Sequence, residues 1–275
     1  MPVAPAPSAR PPRGRHYLRS RALADDLVRA AGVEPGSLVL DLGSGGGILA
    51  SALAAASALV LAVELDPAAA ELLRRRFSSE PLVEVVEADA TRLDLPHEPF
   101  SVVANLPFAA GTAILRRLLD DPRVPVQRVD AIVEWGLAAK RTAVWPSILL
   151  GCAWSAWHEL SLARRLPRAC FAPPPSVDAA VLRAVRRPEP LVPVPEAPGY
   201  LTLLRRAFAA QAPIERILPR AAVGRVAHEL GFDPRGLPRD LDARQWAALH
   251  AATAARSARP HRRGPAPRRP PSSRR

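Results

Sequence analysis

Short apolar runs alternate along the first half of the chain with segments rich in alanine, leucine and charged residues. Each apolar run has the length of a buried strand, and the segments between them have the composition of helices. The predicted strands are residues 37–42, 59–64, 82–88 and 100–104, and a fifth begins at 131–134. The predicted helices between the first strands are residues 48–56 and a helix that Asp66 caps, Pro67 opens and Phe77 ends.

This order of elements predicts an α/β fold in which a parallel sheet carries helices on both faces. Ligands of such sheets bind outside the carboxyl ends of the strands. Four residues fall at those ends, namely Gly43, Glu64, Asp89 and Asn105. We therefore expect all four to contribute to one ligand site.

The first predicted strand runs into a glycine-rich turn, Asp41-Leu-Gly-Ser-Gly-Gly-Gly47. Gly43 and Gly45 carry no side chain that would clash, so the backbone there can approach a nucleotide-like cofactor closely. Glu64 is placed to accept both hydroxyls of a ribose, and Asp89 is placed to accept an adenine amino group. The predicted cofactor-binding set also includes the residues that follow these two acids, Leu65 and Ala90, together with Asn105.

Two classes of enzyme use a glycine turn followed by an acidic residue at the end of the next strand. A dinucleotide-binding dehydrogenase is one of them, but its turn has the spacing Gly-x-Gly-x-x-Gly. The turn in this chain reads Gly-Ser-Gly-Gly-Gly, and nothing that resembles a hydride-transfer site follows it. The pattern favours the other class, a methyltransferase that uses S-adenosylmethionine.

The segment Asn105-Leu106-Pro107-Phe108 suits a pocket that binds an amine on a planar ring. Such an amine is a poor nucleophile because its lone pair is delocalised, and two hydrogen-bond acceptors can draw the lone pair out of conjugation. The side-chain oxygen of Asn105 and the backbone oxygen of Leu106 are the candidate pair. Pro107 fixes its own φ and restricts the preceding residue, while Phe108 offers a flat face to a base. Catalysis would then rest on positioning and electrostatics without a strong general base.

A four-residue match of this kind also describes an ordinary strand end with a turn. The position of the segment favours the catalytic interpretation, because it follows the glycine turn on a later strand of the same predicted sheet. Together the two motifs predict transfer of a methyl group from S-adenosylmethionine to an exocyclic nitrogen.

With two further stretches, these motifs resemble the ribosomal RNA adenine N6-dimethyltransferase superfamily, and within it the erythromycin-resistance methylases that modify 23S rRNA. The resemblance is strong from about residue 15 to about residue 183 and weaker to about residue 255. The further stretches are Arg15-His16-Tyr17-Leu18 with Ser20, and Ile132-Val-Glu-Trp-Gly136 with Lys140-Arg141, Pro167-Arg168 and Phe171-x-Pro-x-Pro-x-Val-Asp178.

The resemblance implies roles for residues near the amino terminus. The family contacts the methionine end of its cofactor through an asparagine and through the backbone two residues later, which correspond here to His16 and Leu18. Arg15 and His16 depart from the family's Gln-Asn pair, although His16 can still donate or accept a hydrogen bond. Phe108 matches the aromatic residue that stacks on the target adenine.

The shared motifs leave the RNA substrate open within the superfamily. The housekeeping enzyme that dimethylates two adjacent adenines of 16S rRNA has the same cofactor turn and the same Asn-x-Pro-aromatic segment. The Ile-Val-Glu-Trp-Gly segment, the Ala-Ala-Gly-Thr run after Phe108 and the flanking tails resemble a resistance methylase more closely. A non-catalytic rRNA-binding or transcription factor on the same fold is a further alternative, but it would not need Glu64, Asp89, Asn105 and Phe108 together.

Charge is distributed unevenly along the chain. The sequence has 38 basic residues, of which only Lys140 is a lysine, and a net charge of +12. Residues 1–21 hold five arginines and residues 256–275 hold eight, with no acid in either, so the ends carry +13 and the remainder −1. We expect residues 1–14 and 256–275 to be disordered and to attract RNA phosphates without reading sequence. A GC-rich genome would also raise the arginine and proline content, but it would not remove acids from both ends.

Pairs of basic residues inside the body of the chain are further candidates for contacts with rRNA, although each pair is also typical of a solvated surface. The predicted RNA-binding residues are Lys140, Arg141, Arg164, Arg165 and Arg168.

The predicted domain organisation places a Rossmann-like methyltransferase domain at residues 15–187. A proline-rich extended linker at 188–198 leads to a small helical RNA-binding domain at 199–255, with helices at 199–210, 221–230 and 243–255. We expect a monomer.

No cluster of histidine, cysteine and acid has metal-ligand spacing, and Cys152 and Cys170 are expected to be buried thiols. No signal peptide or membrane span is predicted, so a cytoplasmic protein is expected.

Overall fold

The computed structural model describes residues 16–257, with side chains described through residue 254. Arg15, the predicted amino-terminal segment 1–14 and residues 258–275 of the predicted tail lie outside the described residues. The strands are β1 (Tyr17–Leu18), β2 (Leu38–Leu42), β3 (Leu59–Glu64), β4 (Val83–Glu87), β5 (Phe100–Asn105), β6 (Val126–Glu134), β7 (His158–Leu166), β8 (Phe171–Ala172) and β9 (Ala179–Arg186).

Ten α-helices accompany these strands within the described residues. Their bounds are α1 (Arg21–Ala30), α2 (Ile48–Ala55), α3 (Pro67–Arg76), α4 (Gly111–Leu119), α5 (Trp135–Thr142), α6 (Leu149–Ser155), α7 (Ala197–Ala210), α8 (Ile214–Ile217), α9 (Arg220–Leu230) and α10 (Ala243–Ser257). Helix α3 begins as predicted, because the Asp66 side chain accepts hydrogen bonds from the N–H groups of Ala68 and Ala69.

Seven strands form one sheet in the order β4-β3-β2-β5-β6-β9-β7. The five strands from β4 to β6 are parallel, which confirms the predicted α/β architecture. The sheet differs from the predicted parallel sheet at β9, which is antiparallel to both β6 and β7. The chain returns from β7 to β9 at the carboxyl edge of the sheet without a crossover helix, and such a connection forces antiparallel pairing.

Successive residues of the central strands contribute to two hydrophobic clusters, one on each face of the sheet. Val39 belongs to a cluster that includes residues of α1, α2 and α3, whereas its neighbour Leu40 belongs to a cluster that includes residues of α4, α6 and the carboxyl-terminal helices. The sheet is therefore buried on both faces, and its carboxyl edge is the part left available for a site.

The predicted extended linker at 188–198 is wrong in its conformation. The indole N–H of Trp157 donates to the carbonyl of buried Val192 at 2.8 Å, and a short 3₁₀ helix at Val194–Glu196 leads directly into α7. The apolar residues between the prolines are buried or partly buried against the hydrophobic core, so the segment is ordered rather than extended. Residues of α7, α9 and α10 belong to the same hydrophobic cluster as α4 and the sheet, so the two predicted domains share a core.

Candidate active site

The glycine turn after β2 adopts a backbone conformation that side chains would disturb. Gly43, Gly45 and Gly47 have φ values of +80°, +52° and +74°, in the left-handed region that glycine tolerates. A Cβ atom on Gly45 would lie 2.5 Å from the ring of Tyr17. The N–H groups of Gly43 and Ser44 both donate to the carbonyl of Val63, at 2.8 and 3.0 Å, which fastens the turn to the end of β3.

The Glu64 carboxylate lies buried between that turn and the start of α3. Its Oε2 accepts the N–H of Gly45 at 2.9 Å, and its Oε1 accepts the N–H of Asp66 at 2.9 Å. Two backbone donors therefore fix the orientation of the carboxylate at the edge of the sheet. A carboxylate held in this way is a preorganised acceptor for ribose hydroxyls.

The Asp89 carboxylate is oriented by a residue that the sequence prediction missed. Its Oδ1 accepts both the N–H of Thr91 at 2.8 Å and the Thr91 hydroxyl at 2.7 Å. These hydrogen bonds lower the pKa of Asp89 below its ordinary value, so the group is an ionised acceptor at neutral pH. The Asp-x-Thr spacing is typical of a side-chain-stabilised turn and could have identified Thr91 in advance.

The Asn105 side chain connects the end of β5 to the amino-terminal segment. Its Nδ2 donates to the backbone oxygen of His16 at 2.6 Å. Its Oδ1 is buried and has no hydrogen-bond partner among the described residues. A buried acceptor without a donor is unfavourable, and such groups occur where a ligand supplies the donor. The amide therefore has an oxygen oriented to accept a hydrogen bond from an amine.

The Phe108 ring packs against the imidazole of His16, with 5.3 Å between ring centroids and 47° between planes. His16 is held in turn by a hydrogen bond between Nδ1 and the backbone oxygen of Pro173, at 2.9 Å. Strand β1 pairs with β8, so residues 16–18 are fastened to a segment far along the chain. This pairing places the two aromatic rings side by side at the mouth of the site.

One cleft with about 980 Å³ of empty space contains nearly all the predicted cofactor and catalytic residues. The predicted residues that line it are His16, Gly43, Gly45, Glu64, Leu65, Asp89, Ala90, Asn105, Leu106, Pro107 and Phe108. Leu18 lines an adjoining cleft behind the glycine turn, and Asn105 and Gly43 line both clefts.

Asp41, in the glycine motif, has an environment that the sequence did not indicate. The residue is buried, and Oδ2 has no hydrogen-bond partner among the described residues. Burial raises the pKa of Asp41 to about 7. Because Asp41 lines the adjoining cleft together with Leu18, its protonation state belongs to the electrostatics of the site.

The predicted RNA-binding residues do not form one cluster. Lys140 and Arg168 are exposed, whereas the Arg141 guanidinium lies over the ring of buried Trp154, at 5.9 Å from the centroid. Arg164 and Arg165 project to opposite faces of the sheet because strand residues alternate. Arg164 lines an apolar cleft with Leu27 and Ala30 of α1, while Arg165 lies over Trp135 of α5.

Comparison with known proteins resolves the class of enzyme. The family model described as "Ribosomal RNA adenine dimethylase" matches residues 7–228. The chain belongs to this family. As a member of the rRNA adenine dimethylase family, it transfers methyl groups from S-adenosylmethionine to adenine in ribosomal RNA. The predicted enzyme class, cofactor and ribosomal RNA partner are therefore confirmed.

Relatives within the rRNA adenine dimethylase family include both kinds of enzyme considered from the sequence. The mycinamicin-resistance protein MyrB of Micromonospora griseorubida is 33% identical over 255 residues, covering 90% of this chain and 79% of MyrB. A ribosomal RNA small subunit methyltransferase A of a Synechococcus strain is 32% identical, covering 86% of this chain and 89% of that enzyme. The solved structure of the 23S rRNA methyltransferase ErmE has a TM-score of 0.77 at 28% identity, covering 86% of this chain and 99% of ErmE.

The cleft fits the cofactor of this dimethylase family. The glycine turn has no side chains that would keep a cofactor away from its backbone, and two oriented carboxylates lie at the ends of β3 and β4. The buried oxygen of Asn105 has no hydrogen-bond donor among the described residues. Within residues 16–257 no group of three His, Cys, Asp or Glu residues is arranged to hold a metal ion. Cys152 is buried as expected, whereas Cys170 is partly exposed. None of the described helices is long and apolar enough to cross a membrane.

Proposed function

We propose that this protein methylates the N6 atom of an adenine in 23S rRNA and thereby confers resistance to macrolide-type antibiotics. The observation that carries the proposal is the Asn105 amide, whose buried oxygen has no protein donor and lies in the same cleft as Phe108, Glu64 and Asp89. The rRNA substrate and the bacterial relatives support a cytoplasmic site of action.

Each residue of the Asn-Leu-Pro-Phe segment has a separate role in this proposal. Asn105 Oδ1 and the Leu106 carbonyl accept the two N–H groups of the adenine amine and localise its lone pair on nitrogen. Pro107 keeps the Leu106 carbonyl in place, and the face of Phe108 supports the base. The bound cofactor supplies an electrophilic methyl group, and the methylated nitrogen releases its proton to water.

The cofactor roles proposed from the sequence remain the same. Glu64 accepts the ribose hydroxyls, Asp89 accepts the adenine amino group of the cofactor, and the backbone of Gly43 and Gly45 passes close to it. Leu65 and Ala90 border the cofactor beside these acids, and His16 and Leu18 contact its methionine end. The contact between His16 and Phe108 supports a second role for His16 beside the target base.

The choice of 23S rRNA over 16S rRNA is supported by the names of two relatives. MyrB is described as a mycinamicin-resistance protein, and ErmE as a 23S rRNA methyltransferase. Methyl groups on an adenine at a drug-binding site remove its N–H donors and occupy space that the drug requires. The alternative, a small-subunit methyltransferase, is supported by the relative from Synechococcus.

Mass spectrometry of both rRNAs from a susceptible host that expresses this chain tests the proposal. N6-methylated adenine newly present in 23S rRNA, with growth at a macrolide concentration that stops the empty-vector strain, is the expected result. Methylation confined to 16S rRNA, in a host that lacks its own 16S enzyme, would assign the chain to the housekeeping branch. The mass of the product also gives the number of methyl groups.

Substitution of Asn105 tests the role of the amide. We expect Asn105→Ala to abolish methyl transfer while S-adenosylmethionine still binds, as measured by isothermal titration calorimetry. Asn105→Asp serves as the matched variant, because it keeps an oxygen and loses the Nδ2 donor to His16. Loss of cofactor binding together with activity in Asn105→Ala would mean that the amide serves the cofactor rather than the adenine.

A further inference from the structure

An exposed tryptophan lies at the carboxyl edge of the sheet, where the catalytic cleft is also found. Trp135 is the first residue of α5, directly after β6, and it is 36% exposed. The Arg165 guanidinium lies over its ring, with Cζ at 5.0 Å from the ring centroid. In such a cation–π pair the guanidinium covers one face of the ring, and both aromatic and guanidinium planes are groups on which bases stack.

Asp178 holds both members of this pair in place. Its Oδ2 accepts hydrogen bonds from Nε and Nη2 of Arg165, at 3.1 and 2.7 Å. Its backbone oxygen accepts the N–H of Trp135 at 2.9 Å. A fourth hydrogen bond, from the N–H of Arg168 to Asp178 Oδ1 at 3.1 Å, ties the chain after β7 to the same residue. One residue therefore fixes the tryptophan backbone and the arginine side chain relative to each other.

The pair lies on the same edge of the sheet as the catalytic cleft. Strand β6 ends at Glu134 opposite Ala179 of β9, and Ala179 pairs with Leu166 at the end of β7. The connection between β7 and β9 also contains Pro173, which bonds to His16 of the cleft. The Trp135–Arg165 pair and the aromatic residues of the cleft therefore lie along one rim, the carboxyl edge of the sheet.

The chemistry of the rim favours a nucleic acid over an apolar partner. Arg168 is exposed beside the pair, and Lys140 is exposed later on α5. Single-stranded nucleic acid is bound by aromatic and arginine planes that stack with bases, next to cations that contact phosphates. A target adenine that enters a cleft must leave its stack, which leaves neighbouring bases without a stacking partner.

We propose that Trp135 and Arg165 form a stacking platform for an unpaired base of the rRNA next to the target adenine. Arg168 and Lys140 contact the phosphates of the same strand. The proposal deepens the proposed function, because it rests on rRNA being the substrate of the adjacent cleft. It makes Trp135 a determinant of RNA recognition that takes no part in the methyl transfer itself.

Steady-state methylation of a 23S rRNA transcript, with RNA concentration varied, tests the platform. Loss of one base stack corresponds to a rise of roughly 5- to 160-fold in KM for RNA, so we expect a rise in this range in Trp135→Ala with little change in kcat. Trp135→Phe should recover most of the loss, because it retains a flat ring. Binding of S-adenosylmethionine by each variant, measured by calorimetry, verifies that the cleft is intact.

An arginine–aspartate ion pair elsewhere on the surface provides the matched control for Arg165→Ala. Arg123 bonds to the Asp121 carboxylate in a similar way, but it precedes β6 and so lies towards the opposite edge of the sheet. We expect Arg165→Ala to raise KM for RNA and Arg123→Ala to leave it unchanged. Trp145, which is 60% exposed, controls for the loss of any surface tryptophan.

A transcript that carries an abasic site beside the methylated adenine identifies the stacked base. If the missing base is the one that stacks on the platform, the abasic RNA should have a higher KM than the intact RNA with the wild-type protein. With Trp135→Ala the two RNAs should have nearly the same KM. An unchanged KM in Trp135→Ala, or an equal rise in Trp145→Ala, would overturn the platform. Wild-type methylation of 16S instead of 23S rRNA would refute the proposed function, and the same comparison on the 16S transcript would then decide the platform separately.

Discussion

The glycine turn contains two neighbouring glycines that we expect to respond oppositely to the same substitution. Gly45 has a φ of +52°, and a Cβ there would lie 2.5 Å from Cε1 of Tyr17. Gly46 has no positive φ, and no heavy atom of the described residues lies within 4 Å of its Cβ position. An L-residue in the left-handed region costs about 1–2 kcal/mol, whereas alanine at an unstrained site stabilises by about 0.4–1 kcal/mol.

Gly45→Ala and Gly46→Ala should therefore differ by about 2 kcal/mol in the free energy of unfolding. In thermal unfolding this difference corresponds to roughly 4–8 °C in Tm. Calorimetric titration with S-adenosylmethionine should also show weaker binding for Gly45→Ala alone, because the Gly45 N–H orients Glu64. Equal stability and equal affinity in the two variants would refute the argument that backbone conformation and the Tyr17 contact require glycine at position 45.

Three further predictions concern buried charge and the carboxyl terminus. Because burial raises the pKa of Asp41 from 3.8 to about 7, the native state keeps a proton that the unfolded chain loses. The free energy of unfolding of the wild type, relative to that of Asp41→Asn, should therefore fall by up to about 1.4 kcal/mol per pH unit from pH 4 to 7 and then level off. Urea unfolding measures both free energies, and the same pH dependence in the two proteins would exclude this effect. Asp130 is buried between Arg128 and Arg183, so Asp130→Ala should lower the free energy of unfolding by about 3 kcal/mol, against less than about 1 kcal/mol for exposed Asp121→Ala. Deletion of residues 256–275 removes eight arginines and should flatten the salt dependence of RNA binding, and an unchanged slope would show that this segment does not contact RNA.

The central sheet and most of the cleft were predictable because their signals are local. Each strand from β2 to β5 is a short apolar run that ends at a polar residue or a glycine, and the ends of parallel strands meet at one edge. This rule predicts that Gly43, Glu64, Asp89 and Asn105 lie together, and all four line one cleft of the structure. The family resemblance adds His16, which the structure places in contact with Phe108.

Contacts between distant segments were not predictable in the same way. The bond from Asn105 to His16 depends on where β1 docks, and the pairing of β1 with β8 has no local sequence signal. Strand β6 begins earlier than predicted, at Val126, because Asp130 is neutralised by Arg128 and Arg183 inside the sheet. The adjacent arginines at 164–165 suggest one basic cluster in the sequence, but strand alternation places their side chains on opposite faces of the sheet.

The fastening of the amino-terminal segment has a consequence for the synthesis of the protein. Residues 16–18 complete the cleft through the bond from His16 to Pro173 and the pairing of β1 with β8. Residues 16–18 thus emerge early from the ribosome, whereas Pro173, to which His16 bonds, follows His16 by 157 residues. A nascent chain that ends before Phe171 lacks both contacts, so the cleft closes late in translation. An enzyme whose substrate is ribosomal RNA therefore completes its own site only after most of its chain has left the ribosome.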